Sequence, residues 1–71
     1  MINLTNYVYQ DGDNKFYFDS ENYANEESIL SIGFEDGDMI KWIWEGKKMF
    51  GTLREEGRNL GLFSIENVTE G

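Results

Sequence analysis

Two acidic stretches, "DGDN" at 11–14 and "EDGD" at 35–38, are the first places to look for chemistry, because clustered carboxylates can hold a hard cation. A twelve-residue calcium loop needs oxygen ligands at alternate positions and a Glu at the twelfth. Counted from Asp11, the fifth position is Lys15 and the twelfth is Asn22, so the pattern fails and both stretches read as turns. Paired carboxylates also serve glycosidases, but 71 residues offer no cleft that would bury a sugar and shift one acid's pKa. The chain has no His and no Cys, which removes Ser–His and Cys–His nucleophile pairs and imidazole or thiolate metal sites. The expectation is a protein that is not an enzyme and carries no cofactor and no metal.

What remains are residues suited to binding. Trp42 and Trp44 share one face of a strand if alternation holds; Trp42 reads as core, and Trp44, beside the "EGKK" turn, as a half-exposed anchor. Glu26 and Glu27 sit in a polar loop, and Lys47 and Lys48 are the only adjacent basic pair.

The elements that must position these residues read as strands. "NYVYQ" and "KFYFD" bracket Asp11-Gly12, a hairpin signal. "DSENYANEE" is an irregular polar loop, and "SILSIGF" reads as a strand by its branched residues. "MIKWIWE", "MFGTLR" and "LGLFS" follow, separated by turns at "EGKK" and "EEGRN". The apolar residues of "ENYANEESIL" sustain no 3.6-residue stripe, so helix is confined to single turns near 21–27 and near 64–67, where Ser64 could cap Asn67. Strands at intervals of about ten residues in so short a chain predict an all-β single domain over 1–71, a small antiparallel barrel of roughly five to seven short strands. The predicted core is Ile32, Phe34, Ile40, Trp42, Phe50, Leu53, Phe63 and Val68. The first barrel strand is either 6–10 or 15–19.

Residues 32–68 resemble the second half of a Src-homology-3 domain. "IGFEDGD" is similar to that family's Leu-Ser-Phe-x-x-Gly-Asp, with Gly37-Asp38 at the diverging turn; "MIKWI" falls on the strand that follows, "FGTL" on the x-Gly-x-Leu after the paired Trp residues, "REEGRN" on the distal hairpin and "GLFSIENV" on the last block. The resemblance implies an SH3-like barrel but not the family's usual ligand. The paired Trp positions hold Lys48 and Met49, and the groove Pro and Tyr positions hold Ser64 and Asn67, with Leu62 in the same block. A proline-rich peptide needs flat aromatic faces, and Lys, Ser and Asn supply none. By the same resemblance, Glu26 and Glu27 fall where the first long loop carries acids that pair with a basic peptide.

The net charge of −8 repels phosphate backbones and anionic lipid, so neither direct nucleic-acid nor membrane binding is expected. No apolar run reaches the roughly 20 residues of a spanning helix, and "MINLTNYVY" lacks a basic start and an apolar stretch, which leads to a cytoplasmic reading. The leading function is a non-catalytic protein-interaction module that binds a basic protein or peptide surface, as a monomer or a subunit of a hetero-complex. Its candidate ligand-binding residues are Trp44, Glu26, Glu27, Tyr23, Lys48, Leu62, Ser64 and Asn67, with Tyr7, Tyr9 and Tyr17 as further aromatics. The rival is a small acidic inhibitor or nucleic-acid mimic, of the kind phages encode, that blocks a host nucleic-acid-binding enzyme. A structural subunit is a third reading, and its mark would be one contiguous exposed apolar patch.

Overall fold

The chain folds as one curled six-stranded sheet, a half-barrel, seen in a computed structural model that describes residues 1–58 and 60–71. The strands are β1 (Ile2–Asn3), β2 (Tyr9–Gln10), β3 (Phe16–Asp19), β4 (Met39–Trp44), β5 (Lys47–Glu55) and β6 (Leu62–Glu70), in the spatial order β1-β4-β5-β6-β3-β2. The all-β expectation holds. One pairing departs from a purely antiparallel barrel: β1 runs parallel to β4, with Ile2 opposite Ile40 and Asn3 opposite Lys41. Of the two candidates for the first barrel strand, 16–19 carries the pairing with β6, while only Tyr9–Gln10 of the other is strand, hydrogen-bonded to β3.

Turn chemistry explains the hairpins. Trp44 and Lys47 close the β4–β5 hairpin around Glu45-Gly46, both at positive φ (50° and 76°), the backbone pattern whose twist matches paired strands. "DGDN" makes the β2–β3 turn, with Gly12 and Asn14 at positive φ and the Asp11 amide donating to the Lys15 carbonyl at 2.9 Å. "EDGD" is a turn as well: the Asp38 carboxylate accepts from the Glu35 amide at 2.9 Å, and the Gly37 amide donates to the Leu53 carbonyl at 2.8 Å. The turn read at "EEGRN" joins β5 to β6, with the Glu56 amide donating to the Leu62 carbonyl at 2.9 Å; Asn59 lies outside the described residues.

Between β3 and β4 lie a 3-10 turn at Ser20–Tyr23 and one helical turn, α1, at Glu27–Leu30. "SILSIGF" is therefore not a strand. Ile29 is buried from α1, whereas Leu30 and Ile32 point outward at 53% and 39% exposure. The helical turn foreseen at 64–67 is also absent, because β6 continues through it. A bulge takes its place: Phe50 pairs Thr69 and Thr52 pairs Glu66, so Asn67 and Val68 together face Gly51, with Asn67 at φ 55°.

The core fills the concave side of the sheet. It comprises Leu4, Phe16, Phe18, Ile29, Ile40, Trp42, Met49, Leu53, Phe63 and Ile65, with Phe34 and Val68 half-buried against it. Of the predicted core, Ile32 is exposed and Phe50 turns to the convex side, half-buried. Phe50 stands three positions from Leu53, and a strand places such residues on opposite faces. Aromatic contacts bind the layer together: Phe18 lies 4.6 Å from Phe34 and 6.2 Å from Phe63 by ring centroids, and Phe16 lies 5.3 Å from Trp42. Each such ring removes roughly 150–250 Å² from water, which lets a small domain stand without disulfides. Among the described residues, no helix is long and apolar enough to cross a membrane.

Candidate functional site: two surfaces of opposite charge

Charge is not spread evenly along the chain. Residues 19–38, from the end of β3 through α1 to the turn before β4, hold seven of the fourteen carboxylates and neither Lys nor Arg. The β4–β5 hairpin, residues 39–55, holds three lysines, one arginine and two carboxylates. The fold sets α1 and the lysines on different sides, since α1 packs Ile29 into the concave side while Lys41 and Lys48 alternate with the buried residues of β4 and β5 and so project from the convex side. The end of the acidic segment runs along β5, where Asp36 meets Arg54.

The acidic segment is held by a tyrosine pair. Tyr7 and Tyr23 meet edge to face at 4.8 Å, Tyr23 stacks on Phe18 at 6.0 Å, and the Tyr23 hydroxyl donates to the Tyr7 carbonyl at 3.3 Å. The Tyr7 hydroxyl in turn donates to the Glu26 carboxylate at 3.1 Å. That bond, more than any other influence, raises the Tyr7 pKa above the ordinary phenol value, because the proton is shared with an anion. Burial raises Tyr9 first, with Asp19 and Asp11 adding to it. Glu26 opens α1, accepting at its carbonyl from the Ile29 and Leu30 amides, and Glu27 occupies the first turn.

The convex face of β4 and β5 carries a cavity of about 220 Å³ bordered by Asn3, Thr5, Lys41, Ile43, Lys48 and Phe50, with no carboxylate among its lining residues. Its wall on the β1 side is pinned: the Ile43 amide donates to the Thr5 hydroxyl oxygen at 3.1 Å, and that hydroxyl donates to the Asn3 side-chain carbonyl at 2.7 Å. Among the described residues the two salt bridges both belong to Arg54, with Glu66 at 3.0 Å and Asp36 at 3.3 Å. Those contacts hold the Arg54 pKa above its usual value, the Glu66 hydrogen bond foremost. Among the described residues, Lys41 and Lys48 have no such partner.

The candidate binding residues do not form one patch. Trp44 is half-buried, its ring edge-on to Phe16 at 5.1 Å, at the β4–β5 turn, and no hydrogen bond or ring contact among the described residues joins it to Glu26 or Glu27. Tyr23, Glu26 and Glu27 belong to the acidic segment. Leu62 is half-buried at the start of β6, beside a shallow hollow shared with Asp19, Glu21, Arg58 and Leu60. The Ser64 hydroxyl donates to the Arg54 carbonyl at 3.5 Å, and Asn67 makes the bulge. Missed from sequence were Lys41, Ile43 and Phe50 as surface residues; the polar–apolar alternation of "MIKWIW" about its buried Ile40 and Trp42 carried that signal. Comparison with protein-family models, curated proteins and solved structures finds no match to this chain.

Proposed function

We propose that this chain is a non-catalytic protein-interaction module that docks a basic protein surface on residues 19–38. The observation that carries the reading is the seven-carboxylate segment without a cation, ordered by the Tyr7–Tyr23–Glu26 contacts and edged by the exposed Leu30 and Ile32. Carboxylates attract a basic surface over about a Debye length, roughly 8 Å at physiological salt, and mainly speed encounter. Affinity then comes from apolar groups that lose water at the contact, and Leu30 and Ile32 lie within the acidic segment, whereas Trp44 does not. An SH3-like relationship is supported by the order of the diverging turn, β4, β5 and β6, and opposed by the unbroken strand at 64–67. The experiment is capture from a lysate of the source organism on immobilised chain, beside a Glu26→Gln, Glu27→Gln, Glu35→Gln variant. A basic protein released by salt and lost on the variant supports the reading; equal capture on both would refute it.

A further inference from the structure

An antiparallel sheet with one face on its core ordinarily shows polar side chains on the other. The convex face here breaks that pattern. Met39 and Ile43 project from β4 at 59% and 47% exposure, and Phe50 is half-buried beside them on β5. Lys41 and Lys48 interleave with these apolar residues around the 220 Å³ cavity, and among the described residues neither makes a salt bridge. An apolar hollow edged by unpaired lysines, on a chain of net charge −8, is suited to a ligand that is both acidic and apolar.

The chain itself carries such a surface. Leu30 and Ile32 are exposed within the segment that holds Glu26, Glu27, Glu35 and Asp36. At the start of this segment, α1 lies on the side of the fold opposite Lys41 and Lys48, while Asp36, at its end, reaches Arg54 on β5. We infer that the convex face of one copy receives the 26–36 segment of a second copy, so that the protein associates head to tail. This rests on residues 19–38 being a docking surface, as proposed above, and names one basic surface that fits it. A twofold pairing of convex faces is disfavoured, since it would set Lys41 and Lys48 against their own copies. A heterologous contact of this kind adds copies in a row, or in a ring where the rotation between copies closes. The net charge of −8 opposes approach at long range, but at physiological salt it is screened beyond roughly 8 Å, while the lysine–carboxylate pairs form at contact. The interface is small, so its dissociation constant is expected on the order of 100 µM.

Sedimentation equilibrium on the whole chain tests this, with two variants. Lys41→Glu/Lys48→Glu blocks the convex face, and Leu30→Ser/Ile32→Ser removes the apolar part of the segment. The expected result is a wild-type mass that climbs with concentration past that of two chains, each variant alone staying at 8.3 kDa, and an equimolar mixture of the two stopping at a dimer, because one intact surface of each kind remains. A wild type that stays at 8.3 kDa up to about ten times that constant overturns the inference, as does a wild-type dimer that never grows or association that both variants retain. Amide shifts on diluting the wild-type chain read the same contact without any substitution. Movement confined to Lys41, Ile43 and Lys48 together with Leu30 and Ile32 supports it; movement elsewhere, or none, overturns it. A chain that stays monomeric yet captures a basic partner through residues 19–38 would refute self-docking and leave the docking reading intact.

Discussion

Ile43 and Lys48 stand directly opposite each other on β4 and β5, and both side chains project from the convex face. Neither belongs to the core, so stability does not require them. Ile43→Thr and Lys48→Gln should each change the unfolding free energy by no more than about 0.5 kcal/mol. Urea titration followed by Trp fluorescence measures this, and a loss above about 2 kcal/mol would mean that the convex face serves folding rather than binding.

The bulge in β6 depends on the residue across from it. A Cβ at Gly51 would collide with Ile65 Cγ2 and lie 3.2 Å from the Glu66 carbonyl oxygen and 3.4 Å from the Trp42 ring. Gly51→Ala should therefore destabilise the fold by about 1–3 kcal/mol or more, the usual range for overpacking. Asn67→Gly should stay within about 0.5 kcal/mol, because glycine adopts the left-handed backbone at φ 55° without strain. The two variants, compared by chemical denaturation, separate a packing constraint from a backbone one.

Half of the predicted core was legible because "MIKWIW", "MFGTL" and "LGLFS" carry apolar residues at the spacing of a half-buried strand; Ile40, Trp42, Leu53 and Phe63 are all buried. Phe50 was misplaced because, three positions from Leu53, it has the opposite parity along β5. Ile32 was misplaced because β-branched residues in "SILSIGF" suggest strand, while Glu26 and the tyrosine pair hold that segment as a helical turn. Leu4 escaped notice because β1 is two residues long and gains its place only by pairing with β4, a nonlocal contact that no local pattern encodes. Trp44 was located correctly at the hairpin turn, half-buried. Its separation from Glu26 and Glu27 depends on the path of the whole loop and could not be read locally.

Of the positions that would form a proline-peptide groove, Lys48 and Ser64 lie far apart along the sheet. Lys48 and Arg54 are six residues apart along β5, roughly 20 Å at about 3.3 Å per residue, and Ser64 pairs with Arg54 at the far end. Titration with PxxP peptides, followed by Trp fluorescence, should show no saturable binding at micromolar concentrations. A dissociation constant near 1 µM, about −8 kcal/mol, would show that other aromatics rebuild a groove.

The Tyr7–Glu26 bond predicts an alkaline signature. Tyr7 has a folded pKa above its unfolded value near 10, so its contribution is fully present below about pH 10 and is lost as pH rises through the raised folded value. The stability difference between wild type and Tyr7→Phe should hold steady from pH 7 to 9 and shrink above 10. Tyr9, also raised, is common to both proteins and cancels. A difference that grows with pH would contradict the hydrogen bond.

The central claim is that residues 19–38 steer and dock a basic partner, and association kinetics with the captured partner test it most directly. Rate constants measured between about 0.05 and 0.5 M salt should show association slowing steeply and dissociation changing little, with Leu30→Ser accelerating dissociation instead. Association independent of salt, together with a Leu30→Ser variant that dissociates like the wild type, would contradict the account.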